Sequence, residues 1–337
     1  MIKNEIKKHF QHKRVVVTGA TGLIGREVCR LLSSWDASIL AISLDDIFLP
    51  PPAINIKIDL TDYKECLTYI KDADYVFHLA GVKGSPTMAA TQSAKFFVPI
   101  VMINTNVLEA ARINEIPRLV YSSSIGAYHR AHYFLERSNF NTWNAYDPPM
   151  DGYPGWAKLI GEMQIDSYRQ TYKEATKDWA IVRFSNTYGP GDNFDPNNAM
   201  VIPSLIARIA AGENPLKIKG DGSPIRDFLF SADAAEGIIL AAFSGTQGGF
   251  FNIGSGVGTS IQTLVSALKS ASFTDFRCEY ERPPSTNKPN SKVLDIHLAR
   301  ENLQFSPEVS LYEGLKRTWK WYLENHEEHL RKINYFR

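Results

Sequence analysis

Cysteine is scarce in this chain of 337 residues. The three present, Cys29, Cys66 and Cys278, are widely spaced and odd in number. They offer neither a disulfide framework nor a zinc spacing, so buried, reduced thiols are expected. Neither sign of charge is in excess: 37 Lys and Arg stand against 36 Asp and Glu, a formal net charge of +1. That balance gives no support for a nucleic-acid or polybasic membrane surface. Long apolar runs are missing as well. The longest, Phe96 to Ile103, is too short to span a bilayer and is interrupted by Pro99. The opening "MIKNEIKKHFQHKR" is basic but lacks the apolar run of a secretion signal, which suits a cytoplasmic protein. No internal repeat and no low-complexity tract stands out. The histidines carry no metal signal. His78 reads as a packed strand residue, His129 and His132 lack a third ligand at a suitable spacing, and His326 and His329 fall on an exposed stretch of the last helix.

What is present is a regular alternation. Hydrophobic residues make up 44% of the chain, enough for a substantial core. "RVVVT" (14–18), "SILAIS" (38–43), "YVFHLA" (75–80), "RLVYSS" (118–123) and "WAIVRFS" (179–185) read as buried strands. Helical patterns fall between them, over 26–35, 103–114 and 157–172. Strands alternating with helices imply a parallel sheet with right-handed crossovers, in one large α/β domain or two coupled ones. After Asn186 the pattern changes. "YGPGDNFDPNN" and "RPPSTNKPNSK" read as long polar loops, and a last helix begins near Pro307 with Leu311, Leu315, Trp319 and Tyr322 on its core face.

"VVVTGATGLIGREV" sets Gly19, Gly22 and Gly25 between an apolar strand and an amphipathic helix, the context a dinucleotide site requires. Gly19 allows the tight turn, Gly22 lets backbone approach a pyrophosphate, and Gly25 lets helix and strand pack closely. The helix N-terminus then faces the phosphates. At these residues the sequence resembles the extended short-chain dehydrogenase/reductase family, whose members mostly modify nucleotide sugars. Further motifs follow in the family's order: "IDLTD", "HLAG", "VRFSNTYGPGDNF", "GDGSPIRDF" and "SKVLDIHLARENLQFSP". The resemblance implies a Rossmann-type doubly wound parallel sheet with a smaller C-terminal α/β substrate domain. Residues 1–186 would form the dinucleotide-binding domain, with a return segment near 227–254. Residues 187–226 and 255–337 would bind the nucleotide sugar.

The same resemblance distributes roles. Gly19, Thr21, Gly22, Leu23, Ile24 and Gly25 would cradle NAD or NADP. Asp59 and Leu60 would meet adenine, and Leu79, Ala80 and Gly81 would brace the cofactor. Ser122, Lys158 and Phe184 would lie near the nicotinamide and its ribose. Counting from Gly19, Ser43 holds the place of the acid that accepts from the adenosine ribose, with Asp45 and Asp46 just beyond. No Arg or Lys follows at once to receive a 2′-phosphate, which points to NAD over NADP. Asn186, Arg226 and Lys292 would hold the nucleotide-diphosphate sugar. A homodimer is implied through the helices near Asn104 and Glu162.

The chemistry needs a hydroxyl on the substrate oxygen, a tyrosine to move its proton, and a lysine to lower the tyrosine pKa. Ser124 and Lys158 fit the family pattern. Tyr153 does not: it precedes Lys158 by five positions, where the family uses four, and Pro154 stands at the usual place. Five positions turn two side chains about 140° apart on a helix. Either Tyr153 sits just ahead of a helix begun at Pro154 and still points at the site, or the first turn is irregular, or another group serves, with Tyr128 and His129 nearest. Ser124 is followed by Ile125 and Gly126, without the acids that dehydratases and decarboxylases of the family carry. Gly126 and Met200 stand where a GDP-fucose synthase places its Cys/His pair. Hydride transfer at sugar C4 remains, first as a 4-ketoreductase and second as a 4-epimerase. A non-catalytic NAD(P)-binding sensor or scaffold is the reading from another class.

Overall fold

The computed structural model describes residues 2–128, 149–245, 248–281 and 291–330. The strands are β1 (Arg14–Thr18), β2 (Ser38–Ser43), β3 (Ile54–Lys57), β4 (Tyr75–His78), β5 (Leu119–Ser124), β6 (Ala180–Phe184), β7 (Asn186–Tyr188), β8 (Leu216–Ile218), β9 (Ile225–Phe230), β10 (Phe250–Ile253), β11 (Gly258–Ser260), β12 (Cys278–Tyr280) and β13 (Ser291–Lys292). The helices are α1 (Ile2–Phe10), α2 (Gly25–Ser33), α3 (Tyr63–Tyr69), α4 (Pro86–Thr91), α5 (Ala94–Ile113), α6 (Tyr153–Thr171), α7 (Lys173–Thr176), α8 (Val201–Ala210), α9 (Ser231–Ser244), α10 (Ile261–Ser272), α11 (His297–Leu303) and α12 (Leu311–Leu330).

Seven strands form one parallel sheet in the order β10-β6-β5-β4-β1-β2-β3. Its central strands are buried on both faces, as the continuous apolar runs of β1, β4 and β6 require. One face packs on α2 and α9 through Val28, Leu32, Ala234 and Ile238. The other packs on α3, α5 and α6 through Cys66, Val107, Leu108 and Ile165. Cys29 and Cys66 are buried and all three cysteines are unpaired. Strands β7, β9, β11 and β13 build a second sheet, with β9 paired to each of the others. Its apolar cluster joins α8, α10 and α12 and holds Leu315 at its centre.

Helix α5 departs from the sequence expectation. It starts at Ala94 and runs through Pro99, so its 20 residues are long and apolar enough to cross a bilayer by length and composition. Its inner face lies in the core instead. Asn104, fully enclosed, donates to the Tyr121 hydroxyl (2.9 Å) and the Ala157 carbonyl (3.2 Å). Pro99 falls in the second turn and forfeits a single backbone bond, which lateral packing of Phe96 and Ile100 outweighs.

Candidate active site

The strand order reverses about β1, where ligands bind beyond the carboxyl ends of an open α/β sheet. Gly19 leaves β1 at φ +68°, and a Cβ there would stand 2.8 Å from the Ala80 nitrogen. A Cβ on Gly25 would stand 2.2 Å from the Gly19 carbonyl oxygen. The loop and the start of α2 therefore interlock at contact distances only glycine allows. The Thr18 hydroxyl accepts from the Leu79 and Ala80 amides, both at 3.2 Å, and so ties β1 to the turn after β4. It also meets His78 at 2.8 Å, and His78 reaches Asn104 at 3.1 Å. Burial lowers the His78 pKa to about 3, so the imidazole is neutral. Beside Gly22 a Cβ would meet only the Gly19 carbonyl, at 3.0 Å, leaving an open backbone face with Leu23 and Ile24 at the helix entry. This bare cradle fits a pyrophosphate.

Around the adenosine end, Ser43 closes β2 but the carboxylate at the cradle belongs to Asp45, which accepts from the Thr21 hydroxyl at 2.8 Å. Lys57 is engaged by Asp46. Asp59 is exposed and accepts from the Thr61 amide and hydroxyl, while Leu60 is buried beside it. Phe184 ends β6 and is buried.

At the end of β5, the Ser122 carbonyl accepts from Lys158 Nζ at 2.7 Å. That ammonium lies 5.2 Å from the Tyr121 ring centroid and 3.6 Å from where a Gly81 Cβ would stand. Desolvation lowers the Lys158 pKa to about 8, against the opposing charge of Glu162. Ser124 Oγ accepts from the Gly126 amide at 3.0 Å, which leaves its own hydrogen for donation. Lys158 thus meets the Ser122 carbonyl and Gly81, with Ser124 two residues further along the same strand.

Tyr153 does not join them. Helix α6 begins at Tyr153, after Gly152, so Tyr153 and Lys158 share one regular helix. The ring meets Phe97 of α5 edge-on at 5.8 Å and is 58% exposed. Among the described residues neither Ser124 nor Lys158 hydrogen-bonds to it. The expectation that Tyr153 lies ahead of the helix and still faces the site is corrected by this phase, because five positions carry it away. Tyr128 is no substitute. Its hydroxyl donates to Asn252 Oδ1 at 2.8 Å, and burial raises its pKa to about 12. His129 and His132 lie outside the described residues, as do the side chains of His326 and His329.

On the facing sheet Lys292 of β13 pairs in register with Arg226 of β9, so two cations stand side by side. Asn186 of β7 donates to the Asp227 carbonyl at 3.1 Å. Asp227 is buried and accepts from the Ser255 amide (2.8 Å) and hydroxyl (2.6 Å) and from the Gly256 and Leu294 amides. Sequence reasoning missed Asp151. Its carboxylate lies 3.3 Å from Lys292 Nζ, supports the charge of Arg226 against desolvation, and fills the space over Gly126, where a Cβ would stand 2.2 Å away. The Asp-Gly pair ahead of α6 was its one signal, and it reads as an ordinary helix start. Met200 caps α8.

Curated relatives match along nearly the whole chain. The GDP-L-fucose synthase of Escherichia coli is 26% identical over 330 residues, covering 94% of this chain and 98% of its own. Among solved structures, a UDP-N-acetylglucosamine 4-epimerase from Methanobrevibacter ruminantium, in complex with UDP-N-acetylmuramic acid, superposes with a TM-score of 0.79 at 26% identity, covering 93% and 99% of the two chains. The UDP-glucose 4-epimerase of Thermotoga maritima, with UDP-glucose, gives the same TM-score at 25% identity and the same coverage. With residues 15–254 matching its pattern, the chain belongs to the NAD dependent epimerase/dehydratase family.

Proposed function

We propose that the protein transfers hydride at C4 of a nucleotide-diphosphate sugar, foremost as an NADH-dependent 4-ketoreductase. The observation that supports the direction is Lys158 held at the end of β5, the strand that Ser124 closes, with Tyr153 packed edge-on against Phe97. An epimerase must take up the C4 hydroxyl proton and hand it back within one site, whereas a reductase need only deliver one proton, here from water through the Ser124 hydroxyl, to the oxyanion that hydride addition leaves. Ser124 supplies such a donor, since its oxygen lone pair is occupied by Gly126 and its hydrogen is available. Lys158, held by the Ser122 carbonyl two residues before Ser124, would add positive charge. A bound nicotinamide would supply the hydride. Asp45 at the loop disfavours a 2′-phosphate, and Asp46 already holds Lys57, so NAD is preferred over NADP. Arg226 and Lys292 would receive the diphosphate, and Asn186 would sit at the sugar. Residues 187–226 and 255–337 then act as the substrate-binding unit.

A 4-epimerase is the second reading, favoured by the likeness to two solved 4-epimerases. The discriminating experiment incubates the protein with nucleotide sugars and their 4-keto derivatives, with NADH or NADPH, and follows absorbance and sugar identity together. Stoichiometric NADH loss with a 4-keto sugar supports the reductase. Sugar inversion without net NADH loss replaces it with the epimerase. Binding of NAD(H) alone would leave a sensor.

Helices α5 and α6 expose Val98 (50%), Met102 (43%), Met163 (45%) and Tyr153 (58%). This apolar surface supports a homodimer through these helices; Asn104 and Glu162 themselves point inward and are buried.

A further inference from the structure

Glu162 follows Lys158 by one helical turn on α6 and is fully enclosed. Arg183 of β6 grips its carboxylate with two prongs, Nε to Oε1 at 2.8 Å and Nη2 to Oε2 at 2.5 Å. The Ser123 hydroxyl donates to Oε1 as well. Side chains alternate along a strand, so Ser123 faces α6 while its neighbours Ser122 and Ser124 face the other way. Those neighbours carry the carbonyl that receives Lys158 and the hydroxyl that receives the Gly126 amide, the donor to the oxyanion in the proposed reaction. Arg183 is itself clamped, 4.2 Å from the Tyr128 ring centroid and 4.8 Å from that of Phe250. Tyr128 continues to Asn252, whose amide donates to the Asp295 carbonyl at 2.8 Å, three residues beyond Lys292.

We propose that Glu162, held by Arg183, is a positioning residue for hydride transfer: through Ser123 it fixes the strand end bearing Ser124 against the helix face bearing Lys158. A pair this deep is costly to desolvate, and apolar side chains could fill the same volume without that cost. What apolar side chains could not do is anchor the middle serine of three. Glu162 also acts on Lys158 by charge. The groups facing that ammonium are Glu162 on α6, Tyr121 and the Ser122 carbonyl on β5, neutral His78 on β4 and, beyond Glu162, Arg183 on β6. Removing the carboxylate charge lowers the Lys158 pKa below its value of about 8.

The assignment rests on the hydride-transfer reading, so its test has one arm that needs no turnover. Lys158 is titrated by NMR in protein labelled at lysine Cε, with K158R to identify the resonance. The wild-type midpoint is expected near 8. E162Q should lower it by about one unit, and E162D should leave it near the wild-type value. In the reductase assay at saturating NADH and substrate, E162Q should shift the alkaline limb of kcat down with the resonance. S123A, which keeps the ion pair and the fold, should cut kcat about tenfold with both KM values unchanged. E162D should restore the pH profile but not the rate. An unshifted Lys158 midpoint in E162Q, or a wild-type kcat in S123A, overturns the proposal. If E162Q does not fold, S123A and E162D still decide. An inert wild type with a shifted Lys158 midpoint overturns the functional reading and the positioning role with it, while the charge coupling of Glu162 to Lys158 stands.

Discussion

Lys158 pays for its position in stability, and the sign of that cost can be measured. Its pKa is about 8 in the folded chain, against 10.5 when exposed. Between those values the unfolded chain binds more protons, so folding gains stability as pH rises through the window; below 8 the penalty is fully present. K158M should therefore be more stable than wild type at pH 7, by roughly 1–3 kcal/mol, with the difference shrinking from pH 8 towards 10.5 in chemical denaturation. Activity should separate the neighbouring hydroxyls. S124A should lose about 10²-fold in kcat, as for removal of one donor to a developing oxyanion. Y153F should stay within about threefold of wild type, because its ring faces Phe97. A Y153F loss equal to that of S124A would mean the first turn of α6 rewinds on binding. Lys158 was read from the resemblance of its segment to the family pattern, and the three loop glycines from their place between an apolar strand and an amphipathic helix. The direction of Tyr153 was not, since it depends on where a helix starts, and boundaries of one residue lie below the resolution of pattern reading. Asp151 offered only an Asp-Gly pair that reads as a helix start; the fold brings it to Lys292.

At the scale of elements, the proposed substrate contacts rest on β9 and β13. Their register sets Arg226 and Lys292 together, with Asp151 across from both. R226A and K292A should each weaken binding of GDP or UDP by about tenfold or more, with a smaller salt dependence than wild type, in calorimetric titration. NADH affinity should not change. The sequence made β1, β2, β4, β5 and β6 readable because strands buried on both faces are near-continuous apolar runs. Strand β3 went unread because it is the sheet edge, with an exposed Ile54 and no fully buried residue. Helix α5 was read only in its second half, since Pro99 mimics a boundary that core packing overrides.

For the whole molecule, the alternation of strands and helices foretold a parallel sheet, and the glycine loop foretold which strand leads it. The second sheet was harder to foresee, because its strands are short and drawn from segments far apart in the chain. The homodimer proposed through α5 and α6 gives a further expectation. M102E together with M163E should convert a dimer to a monomer in light scattering, with the far-ultraviolet spectrum unchanged, because both side chains are exposed on a single chain. The central claim is hydride delivery to sugar C4, and an isotope follows it most directly. NADH carrying deuterium on the transferring face of its nicotinamide is supplied with a 4-keto nucleotide sugar, and the product is read by NMR. The account predicts one deuterium at C4 for each NADH consumed. Product without deuterium at C4, or deuterium taken up from solvent at the neighbouring carbons, would contradict it.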